Sequence, residues 1–229
     1  MKINFLKHIE QSISNSNKKI SKLTPEFFNI HDDDSCMTSH LVRCLLNNIC
    51  SFENCNYLEI GSWRGSSFQS AIFENNITAT CIDWWRNWDK DEKLEGKKSR
   101  DIFFRNLYET LKLEKNSTYK ELKIIDNDAF SVNTNELKKN VNVYFYDGDH
   151  SKEFQYKGFT YFNNILAKKC IIIVDDWNSK DVRDGTFAVF KELKYKIIKQ
   201  WELPGQNGNW SANSGLYWNG LYVCLINKT

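Results

Sequence analysis

No apolar stretch in this sequence is long enough to span a bilayer, and the amino-terminal MKINFLKHIEQSI is amphipathic where a signal peptide would be continuously apolar. Neither sign of charge is in excess. Lys and Arg number 31 against 29 Asp and Glu, for a net charge of +2, and like charges never run beyond a few residues. A grip on nucleic acid or an electrostatic membrane anchor is therefore not expected. The seven cysteines form no C-x-x-C pair. Cys44 and Cys50 fall in an early helical pattern and Cys81, Cys170 and Cys224 in apolar strands, which reads as reduced structural thiols in an intracellular protein. There is no internal repeat and no low-complexity tract. A cytoplasmic enzyme built as one α/β domain is the expectation, since 229 residues suffice for one full core and not for two ordinary ones.

What is present centres on Tyr57 to Ser67, YLEIGSWRGSS. Apolar Tyr57, Leu58 and Ile60 suit a buried strand, and Gly61 and Gly65 let the backbone turn close to a ligand. Phe68, Ala71 and Ile72 then recur at helical spacing. A dinucleotide fingerprint would need G-x-G-x-x-G, whereas this turn is E-x-G-x-x-x-G and has no third glycine. Glu59 beside the turn repels phosphate and suits a ligand carrying an ammonium and a sulfonium, which points to S-adenosylmethionine. The next strand, ITATCID, ends in Asp83, where an acid can hold ribose hydroxyls. A plain strand-to-helix turn with a solvated Glu59 also fits the first motif taken alone.

Along the chain, residues 1–36 read as a helix, a polar segment and an acidic turn, and form an N-terminal helical cap. His31 with Asp32, Asp33 and Asp34 could be drawn as a metal cluster, but adjacent loop residues point apart and read better as solvated. Residues 37–229 carry the main domain. Leu41, Val42, Leu45, Leu46 and Ile49 form one helix face. The long polar loop after Asp83 carries Trp84, Trp85 and Trp88, as a lid or substrate wall would. A helix with Phe103, Leu107 and Leu111 on one face and a third strand follow. The fourth and fifth strands, VNVYFYDGDH and KKCIIIVDDW, flank a helix with Phe154, Phe159, Phe162 and Ile165 inward. Near-continuous apolar runs between helices indicate a parallel sheet buried on both faces. YKIIKQWELPG and GLYVCLINK, with no helix between them, read as an antiparallel edge hairpin. The fold class is thus α/β, a doubly wound, mostly parallel, Rossmann-like sheet of seven strands.

Ligands of such sheets bind beyond the carboxyl ends of the strands. Asp147 and Asp149 leave the fourth strand, and Asp175 and Asp176 leave the fifth. Crowded like charges need a cation, shared protons or open water, and hard oxygen ligands suit Mg²⁺. Gly148 lets Asp147 and Asp149 face one site from different directions. Asp149 or Ser151 could equally cap the next helix, and His150 is either a second base or a hydrogen-bonded structural residue. Aromatics make up 14% of the chain, and Trp84, Trp85, Trp88 and Trp210 could form an aromatic slot or stack on a sugar face.

EIGSWRGSS, CIDWW, YFYDGDHS, VDDWN and the terminal WNGLYV occur in that order. Together they resemble the class I adenosylmethionine-dependent methyltransferases, and in particular the metal-dependent sugar O-methyltransferases that modify macrolide and aminocoumarin deoxysugars. The similarity runs from about Met37 onward, and residues 1–36 match no part of it. It implies that Glu59, Gly61 and Gly65 line the methionine end, that Asp83 binds the ribose and that Asp128 sits near the adenine. Ser62, Ser66, Trp84, Ala129 and Asp147 would complete the cofactor's surroundings. Asp147, Asp175 and Asp176 would hold a divalent metal, Mg²⁺ or another, and Asp149 would be the general base with His150 beside it. Arg183, in V-R-D-G-T, either touches substrate or opens a helix. The acceptor implied is a sugar or glycan; an aromatic diol, or a module that binds the cofactor without catalysis, are the alternatives. The first helix and the edge hairpin suit a homo-oligomer.

Overall fold

A computed structural model describes residues 3–31, 36–85, 95–115, 119, 121–206 and 211–228. Seven strands form one sheet: β1 (Asn56–Ile60), β2 (Thr78–Asp83), β3 (Glu121–Asp126), β4 (Val141–Tyr146), β5 (Leu166–Val174), β6 (Lys196–Leu203) and β7 (Leu221–Asn227). Their order is β3-β2-β1-β4-β5-β7-β6, and β7 alone runs against the others. This is the expected doubly wound sheet with an antiparallel pair at one edge. Among the described residues seven α-helices accompany it: α1 (Phe5–Asn17), α2 (Pro25–His31), α3 (His40–Ile49), α4 (Ser66–Ile72), α5 (Glu95–Leu113), α6 (Lys152–Phe162) and α7 (Lys180–Glu192).

The strand pleat sorts the apolar runs into two cores. Tyr57, Val143, Phe145, Ile171 and Ile173 join the core under α1, α3, α4 and α5. Leu58, Ile60, Tyr144, Tyr146, Ile172 and Val174 join the core under α6 and α7. Both faces of the sheet are covered, which is why the central strands show no polar alternation. The seven cysteines are buried thiols outside any disulfide. Among the described residues no helix is long and apolar enough to cross a membrane.

One local expectation is corrected. Leu111 is 39% exposed, while Thr110 is fully buried with Phe103 and Leu107. Each step of four residues drifts about 40° round a helix, so the stripe begun at 103 and 107 continues through 110. The amino-terminal helix α1 packs on the main core. Ile9 of α1 is packed with Leu45, Leu46 and Ile49 of α3 in the cluster that contains the central strands.

The sheet sets the site through its ladder. The Gly61 N–H donates to Ile82 O at 2.9 Å, Asp147 N–H to Ile60 O at 2.9 Å and Asp175 N–H to Tyr146 O at 3.1 Å. Hydrogen bonding therefore continues one residue beyond β1, β4 and β5. It aligns a glycine turn and two acids in one row at the carboxyl edge.

Candidate active site

The loop after β1 is a strained turn held by an acid. Gly61 has φ +84° and Trp63 φ +45°, a conformation that bulky residues rarely adopt. Asp83 Oδ2 accepts from the Ser62 N–H at 2.8 Å and the Trp63 N–H at 2.7 Å, and Trp85 Nε1 donates to Trp63 O at 2.7 Å. Burial raises the Asp83 carboxyl to about 6, opposed by the two amides. Asp83 thus stabilises the turn as well as facing the cleft. Trp85, expected as a stacking surface, is buried against Phe103 and serves the core.

Glu59 lies deeper than the resemblance implies. It is fully buried, accepts from the Tyr57 hydroxyl and from Ser67 Oγ, and does not line the cleft. Burial raises its carboxyl to about 7, with hydrogen bonds from Tyr57, Ser67 and Ser62 opposing that rise. The pleat explains this placement. Glu59 shares a sheet face with Tyr57, beneath α4, so it supports the turn from below. Gly65 and Ser66 are also off the cleft wall. Gly65 starts α4 at φ +86° against Gln69 and Phe103, and Ser66 Oγ accepts from Arg43 Nε at 2.7 Å. About 100° further round the helix start, Ser67 is the serine that reaches the cleft.

The cleft has a volume of about 760 Å³ and runs along the carboxyl ends of β2, β1, β4 and β5. Ser62, Trp84, Asp128 and Ala129 line it, together with Phe130. Asp128 receives Phe130 N–H at 3.1 Å and Ser131 Oγ at 3.0 Å, which shapes this end of the wall. Trp88, Trp210, Asp32, Asp33 and Asp34 lie outside the described residues. His31 is buried with its Nε2 on Thr110 Oγ1 at 3.1 Å, and burial lowers its pKa to about 3. Arg183 is also away from the cleft and donates to Trp177 O at 2.5 Å.

At the other end stand the acids. Burial holds Asp147 and Asp175 well above the usual carboxylate range; repulsion from Asp175 and then Asp176 raises Asp147 further, and repulsion from Asp176 raises Asp175, against a hydrogen bond with Asp147. Asp176 sits at φ +54° with both oxygens engaged: Asn219 Nδ2 donates to Oδ1 at 2.5 Å, and His150 Nε2 lies 2.6 Å from Oδ2. That contact, against the opposing effect of burial, raises the His150 pKa. Asp175 Oδ1 is buried without a hydrogen-bond partner among the described residues. The ligand atoms of Asp147, His150 and Asp176 all lie within 4.8 Å of one another. An unpaired buried acceptor beside converging donors fits a cation. The converging set contains His150 where three aspartates were expected. Asp149 is exposed on the cleft wall, and its Oδ1 accepts from Ser151 N–H at 2.8 Å. Ser151, not Asp149, caps α6 through Phe154 N–H.

The sequence reading missed Cys36, Met37, Thr38, Phe154, Trp218 and Asn219 as cleft residues. Asn219 stands in the WNG motif already singled out, so a signal existed there. Met37 and Thr38 belong to no periodic pattern.

A protein family described as a methyltransferase domain matches residues 58–177, from β1 to just past β5. The chain belongs to that family. It has the fold of the class I adenosylmethionine-dependent methyltransferases, and its solved neighbours agree in fold. A Corynebacterium glutamicum protein aligns over 96% of this chain and 97% of its own, with a TM-score of 0.58 at 10% identity. A Streptococcus mutans protein assigned as a SAM-dependent methyltransferase aligns over 82% of this chain and 48% of its own, with a TM-score of 0.55 at 16% identity. A further assigned methyltransferase, solved with SAH, aligns over 82% and 48%, with a TM-score of 0.54 at 14% identity. Among curated proteins, a MATH and LRR domain-containing protein of Plasmodium falciparum is 28% identical over 135 residues, 58% of this chain. The chain spans about 1% of that protein's length.

Proposed function

We propose that this methyltransferase moves the methyl group of S-adenosylmethionine to a hydroxyl of a sugar or glycan, with a divalent cation held in the acid cluster. One observation carries the reading: the Gly61 turn and the cluster of Asp147, Asp175 and Asp176 line a single cleft and are joined by one backbone hydrogen bond, Asp147 N–H to Ile60 O. When bound, adenosylmethionine supplies an activated methyl on sulfur, and the cation supplies a point of attachment for neighbouring acceptor oxygens.

The chain's own residues then divide the work. Gly61, Ser62 and Trp63 line the methionine end of the cleft. Asp83 has one oxygen on the loop amides, and Oδ1 takes no hydrogen bond among the described residues, so it is open to ribose hydroxyls. Asp128, Ala129 and Phe130 receive the adenine. Asp147, His150 and Asp176 would hold the cation. Asp149, exposed on the acceptor side, takes the hydroxyl proton, and orientation of donor and acceptor supplies much of the rate. A small aromatic diol is the second reading, favoured by the apolar surfaces of Met37, Phe154 and Trp218 on the cleft wall.

The test is calorimetric titration with adenosylmethionine, with and without Mg²⁺ and a chelator, followed by transfer of labelled methyl to a panel of sugar diols and catechols. Absence of adenosylmethionine binding under all conditions rejects the reading. Asp149→Asn should leave cofactor affinity unchanged and lower methyl transfer at least about 100-fold, within the range for general bases. Loss of cofactor binding in that variant would remove Asp149 from the role.

A further inference from the structure

We infer that His150 is itself a ligand of the cation, and that the site therefore selects a first-row transition ion of the Co²⁺ or Ni²⁺ class over Mg²⁺. The inference rests on the acid cluster being a cation site, as proposed above, and concerns which atoms complete it and which ion they favour.

Three observations converge. The side chains whose ligand atoms come together are Asp147, His150 and Asp176, so a nitrogen stands where a third carboxylate was expected. His150 is brought there by the chain. Asp147 leaves β4, and Asp149 Oδ1 accepts from Ser151 N–H two residues on, a tight turn that sets His150 beside Asp176. Asp176 is fixed from the far side as well, because Asn219 occupies Oδ1 and leaves Oδ2 turned to the imidazole. Independently, Asp175 lines the same cleft, is more than nine-tenths buried, and keeps Oδ1 without a partner among the described residues. A buried acceptor in that state calls for a donor or a cation from the cleft, beside the three ligand atoms that converge there.

The donor set decides the ion. Mg²⁺ is hard, prefers oxygen throughout and gives up its waters reluctantly. Imidazole is a borderline donor that suits Fe²⁺, Co²⁺, Ni²⁺ and Zn²⁺, and affinity for a mixed nitrogen and oxygen site climbs from Fe²⁺ through Co²⁺ to Ni²⁺. A site of carboxylates alone would also rank these ions, so affinity by itself does not identify the nitrogen. The change in ranking when the nitrogen is removed does.

The experiment compares the wild-type chain with His150→Asn by calorimetric titration with Co²⁺ and with Mg²⁺, each metal alone. Electron spin-echo spectra of the Mn²⁺-loaded proteins are recorded alongside. His150 is exposed, so the substitution leaves the cores untouched, and a thermal melt checks this. The expected result is that His150→Asn weakens Co²⁺ at least roughly tenfold and Mg²⁺ less than about twofold, and removes ¹⁴N modulation from the Mn²⁺ spectrum. Equal weakening of both ions, or no weakening, with an unchanged spectrum overturns the assignment of His150 and leaves a cation site of carboxylates. Absence of binding by either ion to the wild-type chain overturns both this inference and the metal-dependent reading beneath it.

Discussion

A β-carbon placed on Gly61 would fall 1.9 Å from the carbonyl oxygen of Asp147. The cofactor turn and the acid cluster are therefore in backbone contact, and no side chain fits between them. Gly61 also needs φ +84°, which costs other residues roughly 1–2 kcal/mol before any clash. Gly61→Ala should lose more than about 2 kcal/mol of stability and displace the start of the Asp147 turn. The expected outcome is a lowered melting temperature together with weakened adenosylmethionine and cation binding. A variant that melts normally and binds both ligands would contradict the contact.

The carboxyl of Glu59 predicts a pH dependence with a definite sign. Its folded value is raised to about 7 by burial, against an ordinary unfolded value of 4.5. Between those values the folded chain holds a proton that the unfolded chain has released. Stability therefore falls as pH rises from about 4.5 to about 7, by up to about 3 kcal/mol from this group. Glu59→Gln keeps a partner for Tyr57 and Ser67 and removes the charge. Melting curves from pH 5 to 8 should fall less steeply for Glu59→Gln than for the wild-type chain, with the variant the more stable at pH 8. Parallel curves would show that Glu59 does not titrate in this range.

Much of this arrangement was legible in the sequence because it follows from period and punctuation. Buried strands ending in Asp83, Asp147 and Asp175 declare themselves by apolar runs that stop at an acid. Depth was harder to read. Whether Glu59 faces a ligand or a helix depends on which face of β1 lies under α4, which its alternation with Tyr57 implies only once the helices are placed. Ser66 and Ser67 are equivalent as letters and differ by one step of helix rotation. The contributions of Met37, Thr38 and Asn219 were hidden for another reason. They reach the cleft by long-range docking of irregular segments, and such contacts leave no local period.

That docking can be tested at Tyr217. Its buried hydroxyl lies 2.6 Å from Ser16 Oγ and 2.8 Å from Asn17 Oδ1, so the end of α1 is tied to the segment that enters β7. The tie is reinforced where His40 N–H donates to Ala212 O at 2.9 Å. Tyr217→Phe removes the hydroxyl and keeps the ring. A loss of about 1–2 kcal/mol is expected, seen as a melting point lower by several degrees. No change on melting would mean that α1 is held by its apolar face alone.

Asn219 offers the sharpest separation of position from stability. Its backbone is fixed independently of its side chain, since Asn178 N–H donates to Asn219 O at 2.9 Å and Trp177 N–H to Gly220 O at 3.0 Å. Among the described residues the Nδ2 group makes one bond, to Asp176 Oδ1. Asn219→Ala should therefore leave the loop in place and free the Asp176 carboxylate to rotate away from Asp147 and His150. Losing a partner that orients a metal-binding carboxylate weakens metal affinity by roughly tenfold or more. Cation titration should show that loss while adenosylmethionine affinity stays within about twofold, because the Gly61 turn and Asp83 are untouched. If both affinities fall together, the side chain holds the whole loop; if neither falls, Asp176 is oriented by its strained backbone at φ +54° and Asn219 is dispensable.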